Sequence, residues 1–261
     1  MKIKISDQAL GLFVVLILVL GGWFLFLGPS AGPSVDENAV NFIDPSKNRD
    51  SSGEEGQEEP GNEEIPETQA VLFSVPFTPQ APLGNWDDPR QQDGCEEASA
   101  LMAVRWATDR GLTLAEAEKE IIAISDWEQE NYGQFHDSSA KDTAERIIKE
   151  YLKYPNVRVE YFITAEDIKR ELYKGNLVIV PTDGRKLNNP YFSGDGPERH
   201  MFPVIGYDPA AKEFIVNDNG TRRGEKYRYS ENILENAIVD YPTGYHAPIE
   251  NYRTAMIVVS K

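Results

Sequence analysis

The sequence predicts an α+β fold from three observations. Helix-like periodicity is concentrated between residues 95 and 175. Short strand-like runs dominate from 177 to the C-terminus. No internal repeat or regular strand-helix alternation joins the two, and a helical region followed by strands is the α+β pattern. At 261 residues the chain suits one domain plus extensions. Its formal net charge of −17, with no Lys/Arg-rich face, argues against nucleic acid as a partner, since a phosphate backbone would be repelled. The lone cysteine excludes an intrachain disulfide.

Two extensions come first. Residues 1–7 carry Lys2 and Lys4, and Ala9–Leu27 contains no charged residue. Such a run extends roughly 30 Å as a helix, the thickness of a bilayer core. Residues 8–28 are therefore expected to form a single transmembrane anchor, with a cleaved signal peptide as the rival reading. Lysines before the run and acids after it place residues 1–7 in the cytoplasm and the rest outside the membrane. Residues 29–70 turn to Ser, Gly, Pro, Asn and acid, a composition that cannot bury enough apolar surface to offset ordering entropy. They read as an acidic, disordered linker, and the folded domain as 71–261.

Within the domain, Val71–Thr78 is a short extended segment that Pro76 keeps out of a central strand. Turn signals at Pro82, Gly84-Asn85 and Asp88-Pro89 make a loop up to Cys95. Ala98, Leu101, Met102, Arg105 and Trp106 then recur at helical spacing. Thr113 with Glu116 forms a capping box for a helix through Leu114, Ala117, Ile121 and Ile124. A third helix follows Asp137 with Ala144, Ile147 and Ile148 on one face. Tyr161–Ile163 is a brief strand, and Thr164 with Asp167 caps a helix that stops at Gly175. Leu177–Pro181 reads as a buried strand. Thr182–Arg199 is a loop whose Tyr191 and Phe192 suit the wall of a cleft. His200–Asp208 and Glu213–Asp218 form a hairpin, Ile233–Ile238 a short helix and Thr254–Ser260 a closing strand.

Cys95 sits where that first helix begins. Unpaired N–H groups and the positive end of the helix dipole favour a thiolate there, while Glu96 and Glu97 oppose it, so a histidine partner is needed to hold the charge. If Tyr207 lies opposite Glu213, Asp218 falls opposite Phe202 and becomes a diagonal neighbour of His200; a slip of one residue brings Asn217 there instead. Cysteine, imidazole and an orienting carboxylate or amide are the parts of acyl transfer through a thioester. An oxyanion hole would use the Cys95 backbone N–H and a side-chain amide from the preceding loop. His136 and His246 lie in polar loops without metal-ligand spacing. Asn217-Asp218-Asn219-Gly220 lacks most of a calcium-loop pattern.

V-P-F-T-P-Q at 75–80, D-G-C-E-E-A-S at 93–99, H-M-F-P-V-I-G-Y-D at 200–208 and F-I-V-N-D at 214–218 resemble the bacterial papain-fold cysteine peptidases of the bacteriocin-leader-processing type, family thirty-nine-like. The resemblance covers about residues 71–260. It implies a papain-like fold, with N-terminal helices packed on an antiparallel sheet, and no cofactor or metal. By motif position it implies Gln80 as oxyanion donor, Cys95 as nucleophile, His200 as base and Asp218 as its orienter. Many members have Gly-Pro after the cysteine where this chain has Glu96-Glu97. The long interval from Gln80 to Cys95 leaves Gln91 and Gln92 open as donors. The expected function is a membrane-tethered extracytoplasmic cysteine peptidase acting on peptides or proteins. A papain-like cell-wall amidase or acyltransferase, and a catalytically silent surface binding domain, are the alternatives.

Overall fold

The structure is a computed structural model describing residues 42–44, 46, 69–250 and 252–261. The expected span at Ala9–Leu27 lies outside the described residues, as does most of the acidic linker. Among the described residues no helix is long and apolar enough to cross a membrane. The part of the linker that is described departs from expectation: Phe42–Ile43 forms a strand, β1, paired in parallel with β2 (Ala70–Leu72). Both β1 residues pack against the core, which gives this short piece apolar burial.

Architecture is α+β. The remaining strands are β3 (Val157–Tyr161), β4 (Leu177–Thr182), β5 (His200–Asp208), β6 (Glu213–Val216), β7 (Tyr227–Ser230) and β8 (Ala255–Val259). They form one sheet in the order β1-β2-β5-β4-β8-β3, with β6 on β5 and β7 on β6. Every pairing except β1 with β2 is antiparallel. β5 pairs with β4 through residues 200–204, with β2 through 206–207 and with β6 through 204–208. It is buried at all nine positions, as a strand covered on both faces must be. Gly206 permits the approach of β2, because a Cβ there would lie 2.2 Å from the Val71 carbonyl oxygen.

The helices are α1 (Pro89–Gln92), α2 (Cys95–Ala107), α3 (Leu114–Tyr132), α4 (Ala140–Asp142, running on as a π-helical stretch Thr143–Tyr151), α5 (Ala165–Tyr173) and α6 (Glu231–Ala237). α2 packs on β5 and is covered by α3 and the π-helical stretch. It is therefore buried nearly all round, rather than along the single stripe its spacing suggests. α3 has the expected capping box at Thr113 and Glu116 and ends at Gly133 in the left-handed region, but Leu114, in its first turn, is exposed. β3 lies earlier than expected, over an alternating V-R-V-E-Y, and stops at Phe162, whose φ of 59° leaves its ring in solvent. α1 and β7 were not expected; Asp88 caps α1 by accepting from the Arg90 N–H, with Pro89 at its first position.

The hairpin register decides the site. At its turn Tyr207 pairs with Phe214, one residue off the expected partner Glu213. Left uncorrected, that slip would carry Asn217 to the His200 face. A β-bulge between Val204 and Gly206 absorbs one residue, so Val204 pairs with Val216 and the Asn217 N–H donates to the Pro203 carbonyl. Asp218 thus returns to the face of Phe202 and His200.

Two acids of the first turn of α2, Glu96 and Glu97, and Glu128 of α3 are buried. Tyr241 donates to Glu96 (2.7 Å), Ser125 to Glu97 (2.7 Å) and Ser138 to Glu128 (3.1 Å). Burial raises all three: Glu96 to about 7, Glu128 to about 8, and Glu97 well above the carboxylate range with help from the Glu128 and Glu96 charges. Between the unfolded value of 4.5 and these folded values the native state holds more protons than the unfolded chain. Stability is then fully present below that unfolded value and falls as pH rises through the window. The urea midpoint is expected to drop steadily from pH 5 to pH 8.5, and Glu97→Gln to flatten that slope; a midpoint flat or rising across the window would contradict these assignments.

Candidate active site

Cys95 opens α2, with Gly94 as the preceding cap residue. A Cβ on Gly94 would lie 2.7 Å from the Arg90 carbonyl oxygen, so the chain enters α2 close against α1. His200 opens β5. The two line one cleft of about 780 Å³, together with Gln80, Trp86, Gln92, Phe192 and Gly220. Four donors converge on Asp218, which has no exposed surface. His200 Nε2 lies 2.8 Å from Oδ1, and the Gly220 N–H donates to the same oxygen (3.1 Å). Tyr229 Oη (2.6 Å) and Asn189 Nδ2 (3.0 Å) donate to Oδ2. Burial works to raise this carboxyl, but the His200 ring, Tyr229 and Gly220 outweigh it and hold it below the usual range.

The His200 ring is fixed on its faces as well as its edge. Phe192 meets it edge-on at 5.4 Å between centroids, and Phe202 lies at 5.3 Å. Gly220 allows the fit, since a Cβ there would come within 2.9 Å of His200 Cε1 and of the Phe192 ring. Asn217 points elsewhere, donating towards the Val75 carbonyl (3.3 Å) and accepting from the Lys226 N–H (3.1 Å).

Asn219, which nothing in its spacing singled out, ties the parts together. Its Nδ2 donates to the Cys95 carbonyl (2.9 Å) and to Ser99 Oγ (2.9 Å), and its carbonyl accepts from the Gln80 N–H (2.9 Å). The single Ser99 hydroxyl hydrogen is shared between Cys95 O (2.7 Å) and Met201 O (3.0 Å), which ties α2 to β5. Gln80 Nε2 donates to the Gln91 carbonyl (3.2 Å) and the Gln92 carbonyl (2.5 Å). Of the other two glutamines, Gln92 lines the cleft and Gln91 is buried.

The thiol has a partner that spacing alone did not reveal. Cys95 Sγ donates to Glu96 Oε2 at 3.0 Å. Burial first, then the charge and hydrogen bond of Glu96 and the charge of Glu97, push the thiol well above its ordinary range, while the Met201 N–H works the other way. The site is therefore organised around a neutral thiol and an oriented imidazole.

The Peptidase_C39-like family model matches residues 73–244. The chain belongs to that family. The match spans Gln80, Cys95, His200 and Asp218, and membership supports a peptidase. No curated protein matches the chain. A crystal structure described as a "putative C39-like peptidase" from Bacillus anthracis is similar at 14% identity and a TM-score of 0.42, covering 74% of this chain and 98% of that one.

Replacing Glu96 by Gln removes the neighbouring charge while keeping an acceptor. Wild-type alkylation by iodoacetamide should be slow at neutral pH and keep rising above pH 9. In Glu96→Gln the profile should move to lower pH, making alkylation at pH 8 about tenfold faster than in the wild type.

Proposed function

We propose that this member of the family is a cysteine peptidase in which Cys95, His200 and Asp218 act as nucleophile, base and orienter. The observation that carries the reading is the buried contact of His200 Nε2 with Asp218. With Nε2 so engaged, Nδ1 is the ring nitrogen left to serve a thiol across the shared cleft. In a papain-like arrangement the Cys95 thiol leaves Glu96 and transfers its proton to His200 Nδ1, and the thiolate adds to the scissile carbonyl carbon. The α2 N-terminal N–H groups stabilise the oxyanion together with the Gln80 amide, once it releases the Gln91 or Gln92 carbonyl it donates to, or with the amide of Gln92. Collapse of the adduct breaks the C–N bond, with the imidazolium protonating the leaving amine, and leaves a thioester. A water deprotonated by His200 then releases the acid and restores the thiol. We further propose that Ala9–Leu27 anchors the chain in the membrane, with the catalytic domain outside the cell.

One observation favours a second reading. The Cys95 to Glu96 hydrogen bond and the raised thiol suit a catalytically silent domain that binds peptides without cleaving them.

Peptide hydrolysis measured with a quenched fluorescent library separates the two. For the peptidase, Cys95→Ala should abolish turnover and His200→Ala should lower kcat/KM by about 10³. Activity indifferent to both would sink the triad, and no turnover of any pool would favour the silent domain. Gly220→Ala, which crowds the His200 ring, should lower kcat by about 10² through misplacement alone. Its thermal unfolding should stay cooperative.

A further inference from the structure

The walls of the cleft differ in charge. On one side Asp93, Asp137 and Glu198 line it, with Arg199 held among them. Arg199 is buried; it donates to Glu198 (3.2 Å) and to the Ala247 carbonyl (2.7 Å), and lies 3.9 Å from Asp137. Its charge is spent within the protein. The segment after Asp218 adds Arg222 and Arg223 to the lining, where both stand exposed.

Both arginines are oriented. The Arg223 guanidinium lies over the Tyr191 ring, 4.9 Å from its centroid. Arg222 rests on the turn at Gly84, where a Cβ would fall 1.9 Å from Nη2. Among the described residues neither makes an ion pair, whereas Arg90, Arg158, Arg185, Arg228 and Arg253 all do. Acids outnumber bases 43 to 26 in this chain, so two adjacent arginines without an acidic partner at the rim of the cleft are conspicuous. Guanidinium groups suit carboxylates through paired hydrogen bonds, and the stacking of Arg223 on Tyr191 leaves it less motion to lose on binding. Trp86, 39% exposed, adds an apolar surface on the same side.

We infer that Arg222 and Arg223 form a subsite for a carboxylate of the bound peptide, so that the cleft selects acidic peptides and sets their direction with the carboxylate on this wall. Asp93, Asp137 and Glu198, which line the same cleft but contact neither arginine, repel that group and make the orientation one-way. The inference rests on the peptidase or peptide-binding reading of the same cleft. The carboxylate belongs either to an Asp or Glu side chain or to a free C-terminus.

The test uses the full chain carrying Cys95→Ala and fluorescence anisotropy with three labelled peptides of one neutral sequence: C-terminally amidated, amidated with an internal Glu, and with a free C-terminus. A carboxylate peptide should bind about tenfold more tightly than the neutral amide, a preference that shrinks in 0.5 M salt. The Glu peptide gaining affinity identifies a side-chain carboxylate; the free C-terminus gaining it identifies the terminal one. R222Q/R223Q should bring the carboxylate peptides down to the neutral level with cooperative unfolding retained. Equal binding of all three, no binding up to millimolar, or a preference that survives R222Q/R223Q would overturn the inference. Turnover is read separately on the chain with Cys95 intact: selective binding without turnover sinks the peptidase reading and leaves the subsite standing, while turnover without selectivity does the reverse.

Discussion

A carboxylate with no exposed surface must be supplied with donors, and Asp218 is the constraint on which the rest of the structure depends. Its donors come from four separate places: β5 through His200, the turn after β6 through Gly220, β7 through Tyr229, and the loop after β4 through Asn189. An unpaired buried charge costs several kcal/mol, so none of these elements can drift without penalty. β7, at the end of its branch of the sheet, and a loop with little regular structure are thereby held to the same precision as the central strand.

The other half of the site is set by Asn219. Cys95 and Asn219 are 124 positions apart, yet one side chain and one carbonyl of Asn219 reach the Cys95 carbonyl, Ser99 and Gln80. Cys95 and His200 therefore belong to elements that are cross-linked through a single turn. The bulge in the hairpin makes this possible, because it decides which of three successive polar residues faces the imidazole and which faces α2. Asn217, Asp218 and Asn219 point three different ways, and each direction is used.

The sequence was legible where the signal was local. The helix starting at Cys95, the capping box at Thr113, the buried run at Leu177 and the closing strand at Ala255 follow from spacing and chemistry within a few residues. The proximity of His200 and Asp218 is one of two registers that spacing leaves open, and the route to it differs from simple pairing: a slip at Tyr207 is cancelled by a bulge at Ile205 that no periodicity announces. Non-local features stayed hidden. That α2 is buried all round depends on α3 and the sheet enclosing it, and that Tyr229, Asn189 and Asn219 serve the site depends on tertiary approach. β7 passed unnoticed because Y-R-Y-S is too short to show alternation, and β1 because two apolar residues are lost among acids. Sequence position shows Glu96 as a charge beside the sulfur, but not as its hydrogen-bond acceptor.

That acceptor has a consequence for the lifetime of the protein. Peroxide and disulfides react with thiolates far faster than with thiols. A sulfur buried at the head of α2 and hydrogen-bonded to Glu96 spends little time in the vulnerable form. The same contact that raises the thiol also shelters it, so the chain's single sulfhydryl resists oxidation for as long as Glu96 holds it.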